Sequence, residues 1–198
     1  MAEPGFPEKK GFSGWILALI AGACAVPLLA IVAAIVIPGL LASRRSANER
    51  TAAATLKVVA AAEIDFRARD RDGNGQKDFW VADLASLHFM SVGGRPLALI
   101  DEALAQADAG SPPGGPRAPR SGYWYHAVQL DAEGKPYDAG SGRNPLKFAF
   151  CAYPASPSAG RTIFIVNEDL AIWRNQQIPM PLKKWPRDLR AEGWIRLD

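Results

Sequence analysis

Histidine and cysteine are scarce in this 198-residue chain, two of each, and that scarcity excludes much chemistry. His88 and His126 are isolated, each read as a packed or surface histidine rather than a base. With them goes any Ser-His-Asp order, Cys-His pair or zinc spacing. Cys24 lies in an apolar run and Cys151 in a β-type segment, so the two make no disulfide framework. Gly93-Gly94 and Gly114-Gly115 lack the strand–helix context of a phosphate loop. Glu63 and Asp65 are two residues apart on a helical pattern and do not face one another. The chain is therefore expected not to be an enzyme. A net charge of +3 is small, and its basic residues are scattered without the patch and interleaved aromatics of a nucleic-acid surface.

Charge is also absent locally. Between Gly11 and Ser43 there is no Asp, Glu, Lys or Arg, and Trp15–Ile37 is almost wholly apolar. A bilayer core of ~30 Å is crossed by about 20 apolar residues in a helix, so this run is long enough to span. It exceeds the core of a cleaved signal peptide. Lys9 and Lys10 before it favour a cytoplasmic N-terminus. The expected organisation is a cytoplasmic polar tail over 1–10, a transmembrane helix over 11–42 and one globular domain over 43–198. That domain is expected on the periplasmic or extracellular side. Ile20-Ala21-Gly22-Ala23-Cys24 carries Ala21 where a lipoprotein cleavage box has leucine, so Cys24 is read as an apolar thiol. Pro27 and Pro38 each remove a backbone donor and predict bends.

After Ser43 the polarity changes but the helical propensity does not. Residues 43–69 are rich in Ala, Leu, Glu, Lys and Arg, without Gly or Pro. Ala52, Leu56, Val59, Ala60 and Ile64 recur at helical spacing as one apolar stripe that needs a partner. Val81–Met90 and Leu99–Ala107 read as short helices, and Ser111–Ser121 as a Pro/Gly loop. Four β-type runs follow: Tyr123–Leu130, Leu146–Tyr153, Thr162–Asn167 and Leu170–Arg174. Glu168-Asp169 reads as a tight hairpin connection, which favours an antiparallel sheet. Trp185 and Trp194 are expected to pack against the sheet edge. The predicted class is α+β: a long N-terminal helix, half membrane and half amphipathic, on a small antiparallel sheet.

The stretch Ile35-Val36-Ile37-Pro38-Gly39-Leu40-Leu41-Ala42-Ser43-Arg44-Arg45-Ser46-Ala47-Asn48-Glu49 resembles the corresponding part of type IV pilin-like proteins. The later segments Asp78-Phe79-Trp80, Phe150–Pro154, Phe164–Glu168 and Trp194–Asp198 are similar to a pilin-like subgroup. The resemblance implies a structural subunit of a type IV pilus-like or pseudopilus filament, with itself, the membrane and a pilus or type II secretion-like machinery as partners. It also implies a prepilin peptidase site at Gly11 and Phe12, although Ile16 stands where the family has glutamate. The self-assembly helix would use Ala18, Gly22, Pro27, Ala33, Ala34 and Pro38, small residues among them allowing close backbone approach. The alternative is a membrane-anchored monomer that binds an extracytoplasmic partner, including by Ca²⁺-dependent adhesion.

One loop carries ligand chemistry. Asp70-Arg71-Asp72-Gly73-Asn74-Gly75-Gln76-Lys77-Asp78 places oxygen side chains at alternate positions, as Ca²⁺ loops do. Asp70, Asp72, Asn74 and Asp78 would offer side-chain oxygens and Gln76 its carbonyl. Val81 stands where an EF-hand has its bidentate glutamate, and Asp83 is the candidate substitute. Asn-Gly and Asp-Gly also build plain polar turns, so both readings stay open.

Overall fold

The computed structural model describes residues 14–110, 116–178 and 180–197, and excludes the side chains of residues 14 and 16–33. Two compact units divide at Ser43 and Arg44. Helix α1, Gly14–Arg69, carries all the regular structure described in the first unit and enters the second. It continues through Pro27 and Pro38. In the first unit Ile35, Val36, Ile37, Leu40 and Leu41 are exposed, Ile35 by 72%. Among the described residues no helix is long and apolar enough to cross a membrane. The expected span falls largely on residues 16–33, whose side chains lie outside the described residues.

The second unit is α+β. Its principal sheet has five antiparallel strands in the order β4-β6-β7-β8-β9, namely Tyr123–Ala127, Ala149–Pro154, Ile163–Asn167, Trp173–Asn175 and Ile195–Arg196. Two small antiparallel pairs flank it. One joins β1 (Phe79–Trp80) to β5 (Arg143–Asn144), the other β2 (Ser91–Val92) to β3 (Arg95–Pro96). β6 and β7 alternate little, because nearly every side chain in them is buried, as in a strand covered on both faces.

Ala52, Leu56, Val59, Ala60 and Phe66 of α1 share one core with Tyr123, Tyr125, Phe148, Phe150, Ile163 and Ile165. The stripe differs from the expected one at its C-terminal end. Ile64 is 38% exposed, whereas Glu63 is fully buried. The inward face follows 52, 56, 59, 63 and 66, alternate steps of four and three that keep one line on a helix. A carboxylate on that line hid it from a search for apolar residues.

Polar contacts join α1 to the loops around it. Asn48 Nδ2 donates to the Ala159 carbonyl at 2.9 Å, and Glu49 Oε1 accepts from the Arg161 amide at 3.0 Å. Farther along, Glu63 Oε2 accepts from the Trp80 amide at 2.9 Å, fixing β1 over the helix.

The expected short helices shrink to single turns, α2 at Ser86–Phe89 and α3 at Glu102–Ala105. Before each, an aspartate takes orphan amides. Asp83 Oδ1 accepts from Ser86 N at 2.6 Å, and Asp101 Oδ1 from Leu104 N at 2.9 Å. The connection from β7 to β8 is also longer than Glu168-Asp169: five residues, 168–172, with Leu170 at a φ of 62°. Trp185 and Trp194 are buried as expected, and the segment after Trp194 adds β9 at the sheet edge.

Candidate functional site

The loop that follows α1 is closed by its own side chains. Asp70 Oδ1 accepts from Asn74 N at 3.1 Å and its Oδ2 from Gly75 N at 2.9 Å. Asn74 Oδ1 accepts from Gln76 N at 2.6 Å, while its Nδ2 donates to Asp72 Oδ2 at 3.1 Å and to Asp78 Oδ2 at 3.4 Å. Gly73 and Gly75 hold φ of 69° and 82°, a conformation that costs glycine little. Of the expected ligands, Asp70, Asp72, Asn74 and Asp78 therefore do come together.

A cation already stands at this loop. Arg143 Nε lies 2.6 Å from Asp72 Oδ2, and its guanidinium sits 5.4 Å from the centre of the Trp80 ring. Arg143 reaches the loop because β5 pairs with β1 and sets Trp80 opposite Arg143. The turn before β5 is just as tight. A Cβ on Gly142 would meet the Trp80 ring at 2.9 Å, and Gly142 has a φ of 73°. Sequence reasoning missed Arg143, which lies 71 residues from Asp72, and no local pattern links the two.

The donor set is right in kind for a hard cation. Asp78 is buried, and its Oδ1 has no hydrogen-bond partner among the described residues. Among the described residues, however, no group of three His, Cys, Asp or Glu converges closely enough to hold a metal ion. Asp83 is committed elsewhere, since both its oxygens accept from Ser86.

A second constellation was not visible in the sequence. A cavity of about 470 Å³ is lined by Asp83, Asp108, His126, Asp138, Tyr153 and Lys183, with apolar wall between them. Asp108 Oδ2 accepts from the Leu84 and Ala85 amides at 2.7 and 3.0 Å, and its Oδ1 from Gly110 N at 2.8 Å. Burial pushes the Asp108 carboxyl above its ordinary range, and the three amides oppose that shift. His126 Nε2 donates to the Leu182 carbonyl at 2.8 Å. His88 Nδ1 lies 2.7 Å from the Ile100 carbonyl, so it too is a packed histidine.

Gly11 and Phe12 lie outside the described residues, as do the side chains of Ala18, Gly22, Pro27 and Ala33. Ala34 and Pro38 are described and exposed. No family model, no curated protein and no solved structure matches the chain.

Proposed function

We propose that the chain is a structural subunit of a type IV pilus-like or pseudopilus filament, anchored in the inner membrane through α1 until assembly. The observation that carries this reading is the exposed apolar surface of α1 from Ile35 to Leu41. Leaving that surface in water is unfavourable by about 25 cal/mol per Å² of apolar area. Lipid relieves the cost in the anchored subunit and neighbouring copies of α1 relieve it in a filament. Head-to-tail contacts that do not close give open helical assemblies. The uncharged run that begins at Gly11 and the pilin-like stretch Ile35–Glu49 agree with both states.

The experiment replaces Ala33 and Ala34 together by Phe, then images material sheared from cells by electron microscopy. Filaments from the native chain and none from the variant, with membrane insertion intact, are the expected outcome. Monomeric native protein at high concentration, unaffected by the substitutions, would sink the reading.

The Asp70–Asp78 loop favours a second reading, an anchored monomeric domain that contacts an extracytoplasmic partner in a Ca²⁺-dependent way. Asp70, Asp72, Asn74 and Asp78 would hold the ion and Gln76 would add its carbonyl, the ion serving to neutralise the carboxylates and stiffen the loop. Replacing Asp72 by Ala should then lower thermal stability in calcium far more than in chelator. An equal loss in both marks a turn held by its own hydrogen bonds and Arg143.

A further inference from the structure

Four arginines stand where α1 enters the second unit. Arg44, Arg50 and Arg161 are exposed and Arg45 is half-buried. Arg161 arrives from the loop before β7. Its amide donates to Glu49 Oε1 at 3.0 Å, and in the same loop the Ala159 carbonyl accepts from Asn48 Nδ2 at 2.9 Å. Glu49 is the one carboxylate between Arg44 and Ala62, and the Arg161 amide already engages one of its oxygens. None of the four arginines is in a salt bridge among the described residues. The guanidinium groups of Arg44, Arg45 and Arg161 donate no hydrogen bond there either.

These charges surround the helix rather than marking one side of it. At ~100° per residue, Arg44, Arg45 and Arg50 leave α1 in three directions about 100–140° apart. Arg50 reaches back toward the N-terminal end of the helix. Its Nε donates to the Ser46 carbonyl at 3.3 Å and its Nη2 to Ser46 Oγ at 3.4 Å. Helical side chains lean that way in general, so the Arg50 charge sits a turn nearer to Arg44 and Arg45 than its own backbone does.

The place of the arginines along α1 selects the partner. Leu41 is exposed and is the last large apolar residue before them. Arg44 and Arg45 follow it by three and four positions, about 5–6 Å of helical rise. The polar layer of a bilayer is about 5–8 Å deep on each side of its hydrocarbon, so cations at that spacing meet headgroup phosphates. Acidic side chains of a second copy reach a helix from one side, whereas lipid phosphates lie all round it. A guanidinium also matches a phosphate with two parallel hydrogen bonds. We propose that Arg44, Arg45, Arg50 and Arg161 form a docking ring for the phosphates of anionic phospholipids, which fixes the depth at which α1 leaves the bilayer. The ring rests on the anchored state of the reading above and gives that state a lipid preference.

The test reconstitutes the full chain in phosphatidylcholine vesicles carrying a trace of spin-labelled phosphatidylglycerol or spin-labelled phosphatidylcholine. Electron spin resonance then reads the fraction of each lipid whose motion the protein restricts. Phosphatidylglycerol should be preferred by about threefold or more in low salt, and the preference should shrink in high salt. Arg44→Gln, Arg45→Gln, Arg50→Gln and Arg161→Gln combined, all outside the core, should bring the two lipids close to equality. Restriction of phosphatidylcholine should stay unchanged in that variant, which shows that it is still inserted. Lys9→Gln with Lys10→Gln should keep most of the preference, since those lysines precede the uncharged run. Equal restriction of both lipids by the native chain, or a preference that survives loss of the four arginines, would overturn the ring and leave the anchor standing. Restriction of neither lipid would end the anchored reading and the ring with it.

Discussion

Glu63 is a carboxyl group held in the core. It is fully buried in α1 with one oxygen on the Trp80 amide and the other unpaired. Burial raises its carboxyl well above 4.5, the Trp80 amide opposes that shift, and Asp83 adds to it. An acid with a raised folded pKa holds its proton longer in the native state. Its stabilising contribution is therefore full below the unfolded value and is lost as pH rises through the folded one. The melting temperature should fall as pH climbs above 4.5, and Glu63→Gln, which keeps the acceptor for Trp80, should flatten that fall. A native profile as steep in the variant would move the cause to another group. Arg143 gives a second prediction at this scale. Arg143→Gln removes the cation beside Asp72 and leaves it only its hydrogen bonds from Asn74, at an expected cost of about 1–2 kcal/mol in urea unfolding, between the values of exposed and buried pairs.

At the scale of elements, the inward face of α1 decides how the second unit holds together. Leu56 is fully buried in the shared core while Ile64 faces outward. Leu56→Ala should cost about 2–5 kcal/mol and Ile64→Ala under about 1 kcal/mol. Equal losses in urea unfolding of the full chain would mean that the helix is rotated from the face described. The β1–β5 pair depends on a backbone that only glycine adopts freely. Gly142→Ala meets both a φ of 73° and the Trp80 ring, so it should destabilise by more than about 1 kcal/mol. Loosening β5 also withdraws Arg143 from Asp72. The drop in melting temperature of a Gly142→Ala, Arg143→Gln double variant should therefore be smaller than the sum of the two single drops.

For the whole molecule the testable claim is topology. On the filament reading, Lys9 and Lys10 before an uncharged run favour a cytoplasmic N-terminus, with residues after about Ser43 expected outside. Protease added to intact spheroplasts should digest the unit from Arg44 onward. Its protection, with digestion restored by detergent, would place that unit in the cytoplasm and end the filament reading.

Class and element types follow from sequence because they rest on local physics. The long helix, the antiparallel strands and the packing of Trp185 and Trp194 are set by periodicity, propensity and the burial of large aromatics. The carboxylate loop was legible for the same reason: Asp70, Asp72, Asn74 and Asp78 lie within nine consecutive positions, and two glycines turn the chain between them. Tertiary structure alone decided what each local pattern meets. Glu63 became a core residue because β1 brings the Trp80 amide to it across 17 positions, and Arg143 became the loop's cation across 71. Asp83, Asp108, His126 and Asp138 became one cavity wall only once α2, β4 and the loop before β5 had packed together. Charge compensation and cavity shape depend on distances in space between residues far apart in the chain, and a pattern read along the chain carries no such distances.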